Sequence, residues 1–164
     1  MDRQQIGVKL TIDGLGMDFK INSFQDRLIM QKAVYLAQAA GVNLGYYYHW
    51  YLYGPYSPSL TRDEYAIAMA ISADMDESKG WKLDDSSSQR LEKIQGIFAE
   101  PDWNKLAKKL ELLASVHFLI ERKQVSKVDT RRITATLARF NKDFSEEEVK
   151  KALRELISYG LLAA

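Results

Sequence analysis

Residues 46–58 read YYYHWYLYGPYSP and hold six of the nine tyrosines in this 164-residue chain. In an extended strand successive side chains point to opposite faces, so the residues before Gly54 divide into two sets. One face receives Tyr46, Tyr48, Trp50 and Leu52, and the other receives Tyr47, His49, Tyr51 and Tyr53. We expect one face to pack in the core. An exposed second face, continued by Tyr56, would form a partner site, because tyrosine and tryptophan are enriched at interface hot spots.

The end of this strand is predicted at Gly54 and Pro55. Glycine permits backbone angles that other residues avoid, and proline removes a hydrogen-bond donor from a sheet. Ser57 and Pro58 then predict a helix start, with serine as the N-cap and proline at the first helical position. The helical pattern fades by Asp74.

A second helix is predicted before the aromatic strand, from the N-cap Ser23 to a stop at Gly41. Its apolar residues keep helical spacing and predict one buried face, formed by Ile29, Ala33, Leu36, Ala37 and Ala40. Lys32 has two interpretations. Its stem can lie on the core while the ammonium reaches solvent, or the cation can be held over tyrosine rings or against an acid and help to fix a docking surface.

The helix segment 27–38, RLIMQKAVYLAQ, and the aromatic strand together resemble the Panacea (SocA-like) antitoxin domain and its YwgA-like relatives. That family combines a Leu-Gln-Lys-x-x-Tyr helix with an aromatic strand that ends in Gly-Pro-x-x-Pro, and the resemblance covers about residues 22–70. It implies a non-catalytic protein-binding module, of the antitoxin or proteolytic-adaptor type, that sequesters or delivers a partner protein. The implied partner-binding residues are Gln31, Lys32, Tyr35, Trp50, Tyr51, Tyr53, Gly54, Pro55, Tyr56 and Pro58.

The N-terminal segment has two interpretations. Alternation of Val8, Leu10 and Ile12 before Asp13-Gly14 is typical of a β-hairpin. The resemblance and the residues after Asp2 favour a helix that ends near residues 14–16, and we expect the helix. The chain is thus expected to form one compact domain that comprises a Panacea/YwgA-like segment (1–73), an acidic loop or linker (74–88) and a C-terminal helical part (89–164).

The C-terminal part is predicted to hold helices over 88–99, 102–122, 129–140 and 145–159. The last three follow the order of a winged-helix fold, so we expect a mainly α protein with a short aromatic strand or hairpin and a winged-helix-like end. Ser145 with Glu148 predicts a capping box for the last helix. His117 lies on an apolar face of the 102–122 helix, where a core histidine with satisfied nitrogens is expected.

The alternative function is DNA binding. Residues 105–139 carry nine Lys or Arg against three Asp or Glu, and this excess of positive charge could contact phosphates. The candidate residues are Lys123, Lys127, Arg131, Arg132 and Arg139. However, a winged-helix reader presents the start of its last helix to the bases, and here that start is Glu146, Glu147 and Glu148. DNA binding is therefore the second choice.

Composition favours a non-enzyme. The chain has two histidines and no cysteine, and it lacks a Walker-type phosphate loop and a Gly-x-Ser-x-Gly elbow. No catalytic residue, metal site or cofactor is predicted. The absence of cysteine fits a reducing compartment, and no signal-peptide pattern or long apolar run occurs. We therefore expect a cytoplasmic protein without membrane contact.

Overall fold

The computed structural model describes all 164 residues and contains seven α-helices and one antiparallel β-hairpin. The helices are α1 (Arg3–Gly14), α2 (Phe24–Ala39), α3 (Pro58–Ser72), α4 (Asp85–Ile94), α5 (Trp103–Glu121), α6 (Thr130–Arg139) and α7 (Glu146–Ser158). The strands are β1 (His49–Tyr51) and β2 (Gly54–Tyr56). The predicted mainly α class with a short aromatic hairpin is confirmed. Helices α5, α6 and α7 are compatible with a winged-helix-like arrangement.

The N-terminal segment is the expected helix, and its β-hairpin alternative is wrong. Asp2 and Gln5 form a reciprocal capping box at the start of α1. Val8 and Ile12 are both fully buried, which their spacing of four residues allows on one helix face. Gly16 follows the helix with a φ of 77°, in the left-handed region that glycine favours.

Helix α2 runs through the centre of the protein. It starts at Ser23 with a capping box to Asp26, as predicted, but nine consecutive residues from Ile29 to Ala37 are buried. The predicted single buried face is therefore wrong, because α1, α3, α4, α5 and the hairpin all pack against α2. Polar side chains within this stretch must find partners inside the protein.

The aromatic segment turns earlier than predicted. Leu52 and Tyr53 form the turn, while Gly54 and Pro55 belong to β2, with Trp50 opposite Pro55. Proline is tolerated there because both strands of a two-stranded sheet are edge strands. The predicted alternation holds from Tyr46 to Trp50, with Tyr46 and Tyr48 buried and Tyr47 exposed, and it fails at Leu52, which is 77% exposed in the turn.

The acidic segment 74–88 contains a 3₁₀ helix, Glu77–Gly80, that packs on α1. Asp76 caps this turn by accepting from the Ser78 N–H. Helix α4 then begins at Asp85 with Asp84 as its N-cap, three residues before the predicted start. Much of the predicted loop is therefore regular structure.

Helix α5 is the second central element, and it packs against both α2 and α7. Asp102 is the N-cap of α5 and Ser145 the N-cap of α7. The predicted capping box of α7 is half formed, because Ser145 accepts from the Glu148 N–H but the Glu148 side chain does not bond back. Phe140, directly after α6, is 39% exposed, and its ring lies edge-on to Trp50 with 5.0 Å between the ring centroids. No helix combines the length and the apolar content that crossing a bilayer requires.

Candidate functional site

Two glutamines of α2 hold the ends of the aromatic segment. The Gln31 amide donates to the Ser57 carbonyl at 2.9 Å and accepts from the Ser57 N–H at 3.0 Å. The Gln38 amide does the same with Tyr46, at 3.0 and 2.9 Å. The glutamines are two turns apart, so both side chains leave the same side of α2. The segment between Tyr46 and Ser57 is thereby fixed at both ends.

Lys32, also on α2, binds the second strand of the hairpin. Its Nζ donates to the Pro55 carbonyl oxygen at 2.6 Å, and the residue is only 2% exposed. The interpretation with an ammonium in solvent is therefore wrong, because the hairpin covers the side chain. Burial lowers the pKa of Lys32 to about 7, with Lys142 adding to the decrease and Glu111 opposing it.

A second buried lysine, Lys142, lies under the hairpin turn. Its Nζ donates to the Leu52 carbonyl at 2.6 Å and pairs with Glu111 of α5 at 2.9 Å. Arg122 also donates, to the Tyr48 carbonyl at 3.0 Å. The sequence analysis missed this role of Lys142, because a lysine in a short loop before a helix looks like an ordinary solvated residue.

Tyr35 is a core residue in this structure. Its hydroxyl lies 2.8 Å from Nδ1 of His117, whose Nε2 is 3.1 Å from the Leu161 carbonyl oxygen. The predicted core histidine with two satisfied nitrogens is confirmed. Burial lowers the pKa of His117, against the opposing effects of Glu121 and the Leu161 carbonyl. The Tyr35 ring also meets Tyr48 edge-on at 5.1 Å, and so Tyr35 supports the aromatic segment from below.

The residues expected to contact a partner therefore divide into two groups. The buried group, which supports the hairpin, is Gln31, Lys32, Tyr35, Gly54 and Pro55. The second group reaches the surface: Tyr51, Tyr53 and Pro58 are exposed, while Trp50 and Tyr56 are half-buried. The expectation that Gln31, Lys32 and Tyr35 present a contact surface is corrected, because the hairpin lies over α2.

A cavity of about 430 Å³ lies between α2, α3 and the hairpin. Five of its 13 lining residues are aromatic: Phe24, Tyr51, Tyr53, Tyr56 and Tyr65. Phe24 meets Tyr53 edge-on at 4.9 Å, and Tyr51 lies 5.2 Å from Tyr56. Gln31 and Lys32 also line it, together with Arg27. Sequence reasoning missed Phe24, Arg27 and Tyr65, since nothing local indicates that the start of α2 and the middle of α3 meet at the hairpin.

Glu64 of α3 is fully buried, and neither of its carboxylate oxygens has a hydrogen-bond partner. Burial raises the pKa of Glu64 to about 8, although the positive charge of Arg27 acts in the opposite direction. The side chain is thus mostly protonated and uncharged at pH 7. The sequence analysis did not single out this residue.

Gly54 lies against Ser115 of α5. Its φ is 91°, and a Cβ added there would lie 2.3 Å from Oγ of Ser115. We expect Gly54→Ala to lower the free energy of unfolding by about 2–3 kcal/mol, measured by urea denaturation, because alanine brings both backbone strain and a clash.

Two further variants test this explanation. Gly80→Ala is the matched control, because a Cβ there meets nothing within 4 Å. Adding Ser115→Ala to Gly54→Ala removes the clashing oxygen but not the strain, and is expected to recover part of the loss. Equal stability of the Gly54 and Gly80 variants would show that the hairpin does not approach α5 this closely.

The residues of the alternative DNA site are spread along α6 and the loop before it. Arg131, Arg132 and Arg139 are exposed, as is Lys123. Lys127 instead donates to the backbone oxygens of Ala163 and Ala164. No three His, Asp or Glu side chains lie together in a way that could hold a metal ion.

No protein-family model, curated protein or solved structure matches this chain. Function is therefore inferred from the geometry of the aromatic cavity and of the buried side chains that hold the hairpin.

Proposed function

We propose that this protein is a non-catalytic protein-binding module that sequesters or delivers a partner protein, in the manner of an antitoxin or a proteolytic adaptor. The observation that supports the proposal is a group of large apolar side chains exposed around one cavity. Tyr51 is 58% exposed, Leu52 77% and Tyr53 46%, and Phe24 and Tyr65 beside them are about half exposed. Grouped exposure of this kind marks an interaction surface, whereas single exposed apolar residues need no explanation.

The way the hairpin is held favours tight recognition. Side chains of Gln31, Lys32 and Lys142 donate to backbone carbonyls along the segment, and the Gln31 amide also accepts from the Ser57 N–H. A surface that is already ordered loses less conformational entropy when a partner binds. Buried glutamine and lysine side chains thus order the aromatic surface before a partner binds.

Recognition is expected to depend mainly on side chains. The carbonyl oxygens of Tyr48, Leu52 and Pro55 already accept hydrogen bonds from charged side chains. Each of these oxygens thus already has a strong donor, which weakens the case for strand addition at the hairpin edge. Tyrosine rings contribute large contact areas with few rotatable bonds, and they dominate many interface hot spots.

The proposal is tested by affinity capture from the source organism, with the partner identified by mass spectrometry and then titrated in purified form. A Tyr51→Ala/Tyr53→Ala variant is expected to bind this partner at least about 30-fold more weakly, since a hot-spot residue contributes 2 kcal/mol or more. Trp81→Ala is the matched control, because Trp81 is 66% exposed and lines a different cavity.

A stoichiometric protein that is retained by the Trp81 variant and lost by the tyrosine variant supports the proposal. Capture of no protein, or equal capture by both variants, contradicts it. The tyrosine variant must keep the wild-type unfolding curve, which is expected because both side chains are exposed.

DNA binding is the alternative function. Arg131, Arg132 and Arg139 of α6 are exposed and form no salt bridge, so they are free to contact phosphates. Retention on duplex DNA that decreases steeply with salt, and is lost in Arg131→Ala/Arg132→Ala, would support it. The first turn of α7 remains unfavourable, because Glu147 and Glu148 are exposed there.

A further inference from the structure

We propose that the aromatic cavity is a carboxylate-binding subsite, which takes an acidic side chain of the partner protein between its tyrosines. The inference rests on the proposed protein-binding function and adds the chemistry of the segment that the partner inserts. Three features of the cavity support it: its charge, its free hydrogen-bond donors and its size.

The basic side chains that line the cavity form no ion pair within this chain, although Glu111 and Glu64 act on Lys32 and Arg27 from beyond salt-bridge distance. Arg27 and Lys32 line it, and no aspartate or glutamate does. Each of the two cations donates to one backbone carbonyl, Arg27 to Ile21 and Lys32 to Pro55. Neither forms a salt bridge with a carboxylate of the chain. A buried ammonium without a carboxylate partner is costly, and an incoming anion would offset that cost.

The cavity also offers hydrogen-bond donors. An ammonium group has three donors, and Lys32 uses one of them on Pro55. The Gln31 amide donates to the Thr61 hydroxyl at 2.9 Å, and this hydroxyl donates to the Tyr56 hydroxyl oxygen at 2.8 Å. Because the Tyr56 oxygen already accepts, its own proton is free to donate to a ligand. Lysine and tyrosine donors together suit an acceptor such as a carboxylate.

The size and walls of the cavity define the rest of the occupant. A volume of about 430 Å³ lies in the range of ligand sites and holds one acidic side chain with part of a flanking apolar residue. The rings of Tyr51, Tyr53 and Phe24 surround the opening and favour apolar neighbours. The expected occupant is therefore an aspartate or glutamate that lies next to apolar residues in the partner sequence.

The subsite is tested with two probes that differ only in charge, 3-phenylpropionate and its neutral amide, titrated into isotope-labelled protein and followed by NMR. The acid is expected to bind about tenfold more tightly than the amide, because charge-assisted hydrogen bonds are about twice as strong as neutral ones. The shifted signals are expected to be those of Lys32 and the cavity tyrosines. The comparison of acid with amide is repeated with two capped peptides, one with a glutamate between leucines and one with glutamine in its place. These peptides present the side chain as a partner protein would.

Three variants show which side chains cause the preference for the acid over the amide. Lys32→Met keeps the volume of the side chain but removes its charge, and is expected to abolish the preference for the acid. Arg27→Gln and Tyr56→Phe, which leave Lys32 in place, are each expected to reduce it by a smaller factor. Equal affinity of acid and amide in the wild type, or an unchanged preference in all three variants, would overturn the proposal.

The two functional proposals can fail separately. If the tyrosine variant loses a partner protein but the acid and the amide bind alike, the protein-binding function stands and the carboxylate subsite is refuted. If the acid is preferred and Lys32→Met abolishes that preference, but no protein partner is captured, the cavity is an anion site and the protein-binding function is refuted.

Discussion

Glu111→Ala is expected to lower the free energy of unfolding by about 3–5 kcal/mol at pH 7, because it leaves the Lys142 ammonium buried without a carboxylate. The Lys142 side chain is 1% exposed, and Glu111 lies 2.9 Å from its Nζ. The Leu52 carbonyl would remain as its hydrogen-bond partner, together with the rings of Trp50 and Tyr53 at 5.7 and 5.6 Å. Because Lys142 also holds the hairpin turn, the variant is expected to loosen the aromatic surface as well.

A double-mutant comparison separates the buried charge from lost packing. Glu111→Ala/Lys142→Met removes both charges, and is expected to be more stable than Glu111→Ala alone. Glu155→Ala is the matched control, since Glu155 of α7 pairs with Lys109 of α5 at 3.0 Å and both side chains are partly exposed. Its expected cost is about 1 kcal/mol or less. Equal losses for Glu111 and Glu155, measured by urea denaturation, would contradict the burial argument.

Local sequence signals predicted the helices well. Ser23, Ser57 and Ser145 each cap a helix as their sequence context indicates, because capping depends on residues three positions apart. The same local rules misplaced the hairpin turn. Gly54 and Pro55 indicate a strand end by propensity, yet the position of β2 depends on the contact with α5 and on donors from α2.

The candidate site was predicted less completely than the helices, for a physical reason. Its members lie far apart in sequence: Lys142 donates to the Leu52 carbonyl across 90 residues, and Trp50 packs against Phe140. Periodicity indicates which face of an element is apolar, but it does not indicate which polar side chain another element covers. Lys32 and Glu64 therefore looked like surface or ordinary helix residues, although both are buried.

Those two buried residues predict an unusual dependence of stability on pH. The pKa of Glu64 is about 8 in the folded protein against an ordinary value of 4.5, so the folded state binds more protons than the unfolded state between these pH values. Stability therefore decreases as pH rises through this range. The pKa of Lys32 is about 7 when folded against 10.5, so the folded state binds fewer protons between pH 7 and 10.5, and stability increases with pH there.

The free energy of unfolding is therefore expected to pass through a minimum near pH 7.5, the region where the two ranges meet. Each residue contributes a change of the order of 3–5 kcal/mol across its range. Two other buried groups contribute. The lowered pKa of His117 makes stability rise with pH below the ordinary histidine value of 6.5, which opposes part of the decrease caused by Glu64, and the raised pKa of Tyr35 makes stability fall above pH 10. Urea denaturation at pH 5.5, 7.5 and 9.5 measures the curve between these limits.

Two single substitutions show which residue causes the decrease in stability below the minimum and which causes the increase above it. Glu64→Gln keeps the shape of the side chain but cannot ionise, so the decrease between pH 5.5 and 7.5 is expected to disappear while the alkaline increase remains. Lys32→Met is expected to remove the increase above pH 7.5 and to keep the decrease below it. The loss of the hydrogen bond to Pro55 lowers the free energy of unfolding of this variant by the same amount at every pH. A stability maximum near neutral pH, or a curve that neither substitution alters, would mean that these two groups are more solvated than their burial indicates. A minimum that each variant removes from one side would show that the protein keeps two desolvated ionisable groups close to its aromatic surface.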